Sequence, residues 1–202
     1  MKFAGILKTT QVAMIAGFLS AGAMQAAVAA QDPNQFVEQI ANNTLQAVNQ
    51  SDAAKSGDIS AINGIVTQYL MPHINMEKTT RLAVGQPWRQ ATAEQRSALV
   101  NGFKQTLLRT YSGAFRNVTS GTTITMQPFR GDANASDVVV RSIITAGQGP
   151  ISVDYRLEKS GSSWKIYDLN VENIWLIQNY RNQFAGQISQ GGIDGLIKAL
   201  NR

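Results

Sequence analysis

Few residues in this chain have the types and spacing that chemistry needs. His73 is the only histidine, so any mechanism using an imidazole must use it. It follows Pro72 in a link between helical segments, where a hydrogen-bonded or solvated ring is the ordinary state. Asp154 and Glu158 share the polar face of one strand, two carboxylates of the kind that divide acid and base work in glycoside hydrolysis. Arg156 and Lys159 stand beside them, however, and cross-strand charge pairing accounts for the pattern. Asp168 is different, because simple alternation points it the same way as Trp164 and Ile166. Buried there, it needs a partner such as Arg181 or backbone N–H groups. A base at Asp168 or His73 would describe an enzyme acting on a small apolar substrate.

Most other chemistry is excluded by what is missing. With no cysteine, thiol catalysis, thiolate zinc sites and iron–sulfur clusters are ruled out. One histidine without a carboxylate cluster argues against zinc or iron. No G-x-S-x-G is present, and "SGSSW" at 160–164 is a strand-to-strand turn, a poor place for an activated serine. "GQGP" and "GGIDG" lack the phosphate-cradling pattern of a P-loop or dinucleotide fold. No catalytic residue, cofactor or metal ligand is therefore assigned.

The elements that carry these residues begin after residue 30. Lys2 and Lys8 form a positive n-region, "VAMIAGFLSAGAM" an apolar run, and "AVAA" at 27–30 a small-residue cleavage site, which together read as a Sec-type signal peptide over 1–30. The apolar run is shorter than the roughly 20 residues needed to span a bilayer. Removing Lys2 and Lys8 lowers the net charge from +5 to +3. The basic residues are scattered without a run, so no nucleic-acid partner is expected. About 170 residues remain, enough for a single domain with a sizeable core over 31–202, and nothing requires more than a monomer.

Asp32 and Pro33 suit a helix start, and Phe36, Val37, Ile40, Thr44, Leu45 and Val48 follow at amphipathic spacing to about Gln50. A polar connection leads to Asp58, which caps a second helix ending before Pro72. Asn75 caps a short helix that stops at Gly85. Thr92 and Gln95 form a capping box for a long helix reaching about Phe115. The helical part is thus 31–118. From Thr122 the period becomes two, with strands through Ile124, Val138–Ile144, Ile151–Leu157 and Trp164–Tyr167, and short links imply antiparallel hairpins. After this sheet part, 119–172, come C-terminal helices over 173–202. Helices, a strand meander, then helices is an α+β order.

"PWRQATAEQR…F…LLRTY" at 87–111, "VDYRLEKSGSSWKIYDLNVENI" at 153–174 and "NYRNQF" at 179–184 together resemble the MlaC family. These are periplasmic phospholipid-binding proteins, also known as toluene-tolerance or ABC-transporter auxiliary proteins. The resemblance runs from the first helices to "GGIDGLIKAL". It departs over Glu172, Asn173, Ile174 and Trp175, where the family usually shows "EGVS", so that Trp175 stands in place of a serine, and at Asn75, where an acidic residue is common. The resemblance implies an NTF2-like fold, a curved antiparallel sheet wrapped by helices around an apolar cavity for acyl chains. It also implies a periplasmic shuttle working between an outer-membrane lipoprotein–porin complex and an inner-membrane ABC transporter with an MCE-domain subunit.

Wall candidates for such a cavity are Phe103, Leu107 and Tyr111 from the long helix and Val138, Val140, Val153, Tyr155 and Leu157 from strands. Trp164, Ile166, Ile174, Trp175 and Leu176 complete the set. Arg109, Arg141 and Arg181 are weaker candidates for a phosphate head group, with a salt bridge to Asp168 or Glu172 the alternative, and a basic rim near Lys78, Arg81 or Arg89 is the candidate partner surface. An exported adaptor using an exposed apolar patch to bind protein is the other reading.

Overall fold

Local capping chemistry sets most of the helix starts. The computed structural model describes residues 31–132, 134–147 and 149–202; the expected signal peptide, 1–30, lies outside the described residues. Asp32 Oδ1 accepts the Gln35 N–H at 2.9 Å and opens helix α1, Pro33–Gln50, whose buried face carries Phe36, Val37, Ile40, Thr44 and Val48. The connection after it holds one further helical turn, α2 (Asp52–Lys55), because Ser51 Oγ accepts the Ala54 N–H at 3.2 Å. Asp58 caps α3, Ile59–Ile65.

The chain does not stop before Pro72. It widens into a π turn at Val66–Leu70 and tightens into a 3-10 turn at Met71–His73, where the proline sits near the start and needs no N–H donor. Asn75 caps α4, Met76–Val84, which ends at Gly85 with φ 74°. Thr92 and Gln95 exchange bonds of 3.0 and 3.2 Å to start α5, Ala93–Tyr111. That helix ends earlier than its apolar spacing predicts, its continuation being the 3-10 turn Ser112–Asn117.

Five strands follow in an antiparallel meander: β1 Thr123–Met126, β2 Asp137–Ala146, β3 Gly149–Ser160, β4 Ser163–Val171 and β5 Ile174–Trp175. β2 and β3 keep one register from Asp137↔Glu158 to Ala146↔Gly149. The turn into β5 uses Glu172 at φ 48° and Asn173 at φ 69°, the doubly left-handed geometry that a two-residue hairpin demands. Last comes α6, Leu176–Leu200, broken at Gly192 (φ 64°). The architecture is α+β, as the element order implies. α1 packs on β1, β2 and β4, while α4 and α6 pack on β4.

Candidate functional site

One face of the sheet is apolar in every strand. The register places Val138, Leu157 and Ile166 in one cross-strand row, Val140, Tyr155 and Leu169 in the next, and Met126, Ser142, Val153, Val171 and Ile174 in the third. Ile124, Ile144 and Ile151 make the last. Burial falls along these rows. Leu157 is wholly buried and Ile166 nearly so, Ile144, Ile151 and Val171 are half-buried, and Ile174 is 57% exposed. α1 covers the closed end with Phe36, Val37 and Ile40. Trp164 seals that end, its Nε1–H donating to the Gln31 carbonyl at 2.7 Å. Leu70 packs against this cluster and also against a helical one around Val48, Ile62 and Leu108. An open groove of about 550 Å³ between residues 127–132 and β2 reaches Val138 and Val140 from the strand edge.

A single irregularity keeps this face apolar. Arg156 pairs with Asp168 but Leu157 with Ile166, so Tyr167 is an extra residue in β4. This bulge reverses the alternation. It puts Leu169 and Val171 on the apolar side and turns Asp168 to the opposite face, beside Arg156. The expectation that Asp168 shares a face with Trp164 and Ile166 is thereby corrected.

The opposite face is polar and tightly bonded. Asp168 has no exposed side chain; Arg156 Nη1 donates to its Oδ2 at 3.1 Å, and the Leu169 and Ile177 N–H groups donate to Oδ1 at 3.0 Å each. Burial holds its carboxyl above the usual range despite these donors. The Ile177 contact makes Asp168 a tether for the start of α6. Lys78 Nζ lies 2.8 Å from Glu158 and 3.4 Å from Asp137, and 3.6 Å from the Tyr167 ring centroid, fastening α4 to the sheet. Asp154 and Glu158 do serve charge pairing, Asp154 with Arg141 at 3.6 Å and Glu158 with Lys78 rather than a strand neighbour. His73 packs its ring on Phe36 at 5.8 Å, on the apolar side, and burial with nearby Lys165 lowers its pKa. It and Asp168 are not brought together.

The wall candidates divide. Val138, Val140, Val153, Tyr155, Leu157, Trp164 and Ile166 all belong to the sheet cluster. Phe103, Leu107 and Tyr111 belong to another, among α4, α5 and α6. There the Phe103 ring meets Tyr180 at 4.8 Å and Phe184 at 5.0 Å, and burial with Tyr180 pushes the Tyr111 phenol up to about 12. Trp175 turns to the polar face, stacked 3.8 Å beneath the Arg156 guanidinium, and Leu176 is half-buried at the start of α6. Of the head-group candidates, Arg109 Nη2 donates to the Leu200 carbonyl at 2.8 Å and Arg181 twice to the Leu82 carbonyl, at 3.0 and 2.6 Å. Both arginines tie off helix ends. Phe36, Val37 and Ile40 were legible as a helix face but not as the roof of the sheet. Leu169 and Val171 were hidden by the bulge.

Among the described residues no cluster of three metal-ligating side chains occurs, and no helix is long and apolar enough to cross a membrane.

Residues 38–202 match the model of the family described as MlaC protein. Over 179 residues the chain is 24% identical to the intermembrane phospholipid transport system binding protein MlaC of Haemophilus influenzae, spanning 87% of this chain and 84% of that protein. It is 25% identical over 169 residues to the toluene tolerance protein ttg2D of Pseudomonas putida, spanning 83% and 78%. The fold superposes with a TM-score of 0.81 on a phospholipid-binding protein from Ralstonia solanacearum solved in complex with a phospholipid. The identity there is 38%, over 85% of this chain and 96% of that one.

Proposed function

The chain belongs to the MlaC family, and on that premise we propose that it is a phospholipid carrier whose guest lies with its acyl chains against the apolar face of the sheet. One observation carries the reading: a protein 38% identical, with the same fold, was solved holding a phospholipid. The graded apolar floor from Leu157 to Ile174 is the surface in this chain that suits such a guest. The half-buried strand residues Ile144, Ile151 and Val171 become wall alongside Val138, Val140, Val153, Tyr155 and Leu157, as α1 and Leu70 move away from the sheet.

The physical case rests on transfer free energy. A phospholipid has roughly 30 chain carbons, each worth about 0.8 kcal/mol when taken out of water. Escape of a free lipid into water is therefore very slow. A protein wall as apolar as a bilayer makes the exchange between membrane and carrier nearly isoenergetic, and partners can set its direction. In this proposal residues 1–30 export the chain to the periplasm. There it works between an inner-membrane ABC transporter with an MCE-domain subunit and an outer-membrane lipoprotein–porin complex, with no catalytic residue. Purified protein extracted with organic solvent is expected to release near-stoichiometric phospholipid by mass spectrometry. Protein that neither carries lipid nor takes it up from phospholipid vesicles would sink the proposal.

A further inference from the structure

The apolar floor contains one polar feature, and the carrier reading does not by itself explain it. Ser142 Oγ and Tyr155 OH lie 3.1 Å apart, with Ser142 at 0% exposure and Tyr155 at 8%. Their neighbours by register are Met126, Val140, Val153 and Leu169. Two hydroxyls bring two protons, and one hydrogen bond between them uses one. The second O–H finds no acceptor in the protein among the described residues. A buried donor left unused costs about 1–3 kcal/mol, whereas Ala and Phe in these places would cost nearly nothing. The pair also stands where burial changes, between the closed rows around Leu157 and the half-buried Ile144 and Ile151.

We propose that this hydroxyl pair is a ligand contact, donating its spare hydrogen bond to an ester carbonyl of the bound lipid and so fixing how deep the lipid sits. The proposal rests on the carrier reading. The chemistry selects the carbonyl from the parts of a phospholipid. The alkyl chains accept no hydrogen bond. A phosphate would bring a charge among Met126, Val140, Val153 and Leu169, the pair's apolar neighbours by register, where none of them can neutralise it. An ester carbonyl is neutral, accepts only, and lies at the top of the chains. Burial raises the Tyr155 phenol above its ordinary range, which keeps it a neutral donor.

The test is a competition between linkages. The protein is loaded from vesicles of equimolar dipalmitoyl phosphatidylcholine and its dihexadecyl diether analogue, which has no carbonyl, and the retained lipids are counted by mass spectrometry. The wild-type protein is expected to keep the diester about three- to tenfold over the diether. Tyr155→Phe and Ser142→Ala each leave one hydroxyl whose proton is free to donate, so each is expected to keep a preference for the diester. The double variant, which leaves no unused donor and should fold, retains both lipids equally. An equal ratio in the wild type, or a preference that persists in the double variant, overturns the assignment alone. Retention of neither lipid by the wild type overturns the carrier reading and the assignment together.

Discussion

The apolar cluster among α4, α5 and α6 and the one between α1 and the sheet use similar residues and are finished differently. In the helical cluster Leu99 and Phe103 are wholly buried, and Gly102 lies so near α6 that an added Cβ would stand 2.9 Å from Leu200 Cβ. Its half-buried members are spread over all three helices. On the sheet they are contiguous, since Ile144 and Ile151 are register partners and Val171 is in the adjoining row. Around Leu99, Gly102 and Phe103 the packing is close, and close packing tolerates neither loss nor gain of volume. A floor that is half-covered along one end has already forgone some of its burial energy there. On the proposed reading, the contrast separates a region built for stability from one built to accept a guest.

The largest expected effect falls on the first region. Phe103→Ala removes a ring that meets two others and should destabilise the fold by about 3–5 kcal/mol, read as a lowered urea midpoint. The lipid held per folded molecule should stay unchanged. A variant that folds but loses its lipid would make the helical cluster part of the binding wall, and the contrast would break.

The contact between α4 and the sheet provides an intermediate effect. Lys78→Ala leaves Glu158 without its hydrogen-bonded cation and should cost about 1.5–2 kcal/mol at neutral pH. The pH dependence follows from Glu158. Burial pushes its carboxyl up, but hydrogen bonds from Lys78 and Asn75 and the charges of Lys78 and Arg81 outweigh that, so its folded pKa lies below 4.5. The stability it contributes is present above the ordinary value and lost as pH falls through the lower folded one. Urea midpoints of wild type and variant should therefore differ most near neutrality and converge in acid. A gap that is constant with pH would show that Lys78 acts by packing on Tyr167 rather than by charge.

The division between the two regions was the part least visible in the sequence. Caps at Asp32, Asp58, Asn75 and Thr92 could be read because each is settled by side chains within three residues. The faces of β2 and β3 were equally plain, from alternation. Periodicity shows which face of an element is buried and is silent about what buries it. Phe103, Leu107 and Tyr111 were therefore grouped with strands they do not share a cluster with. Nor does a bulge show in one strand: Tyr167 is extra only in relation to Arg156 and Leu157 on the neighbouring strand. Asp168 was misplaced for that reason, and Trp175 because residues 173–202 were read as helical where Ile174–Trp175 is a strand; the exposure of Ile174 follows from its place beside the edge turn.

The smallest effect on stability should accompany a clear effect on cargo. Ile151 pairs with Ile144 on β2, while the β3–β4 register begins only at Val153, so one flank of Ile151 has no strand beside it. Ile151→Asn keeps the strand hydrogen bonds, which are made by backbone, and the new amide can be hydrated at a half-buried position. The expected loss of stability is under about 1 kcal/mol. Against acyl chains the same amide must shed its water without a partner, so lipid retained after loading should fall about three- to tenfold. Paired with Phe103→Ala, this makes a double dissociation: one substitution destabilises the fold and spares the lipid held per folded molecule, while the other spares stability and lowers the lipid held. If Ile151→Asn instead lowers the urea midpoint as far as Phe103→Ala does and leaves lipid retention intact, the open end of the sheet is ordinary core and the two regions are one.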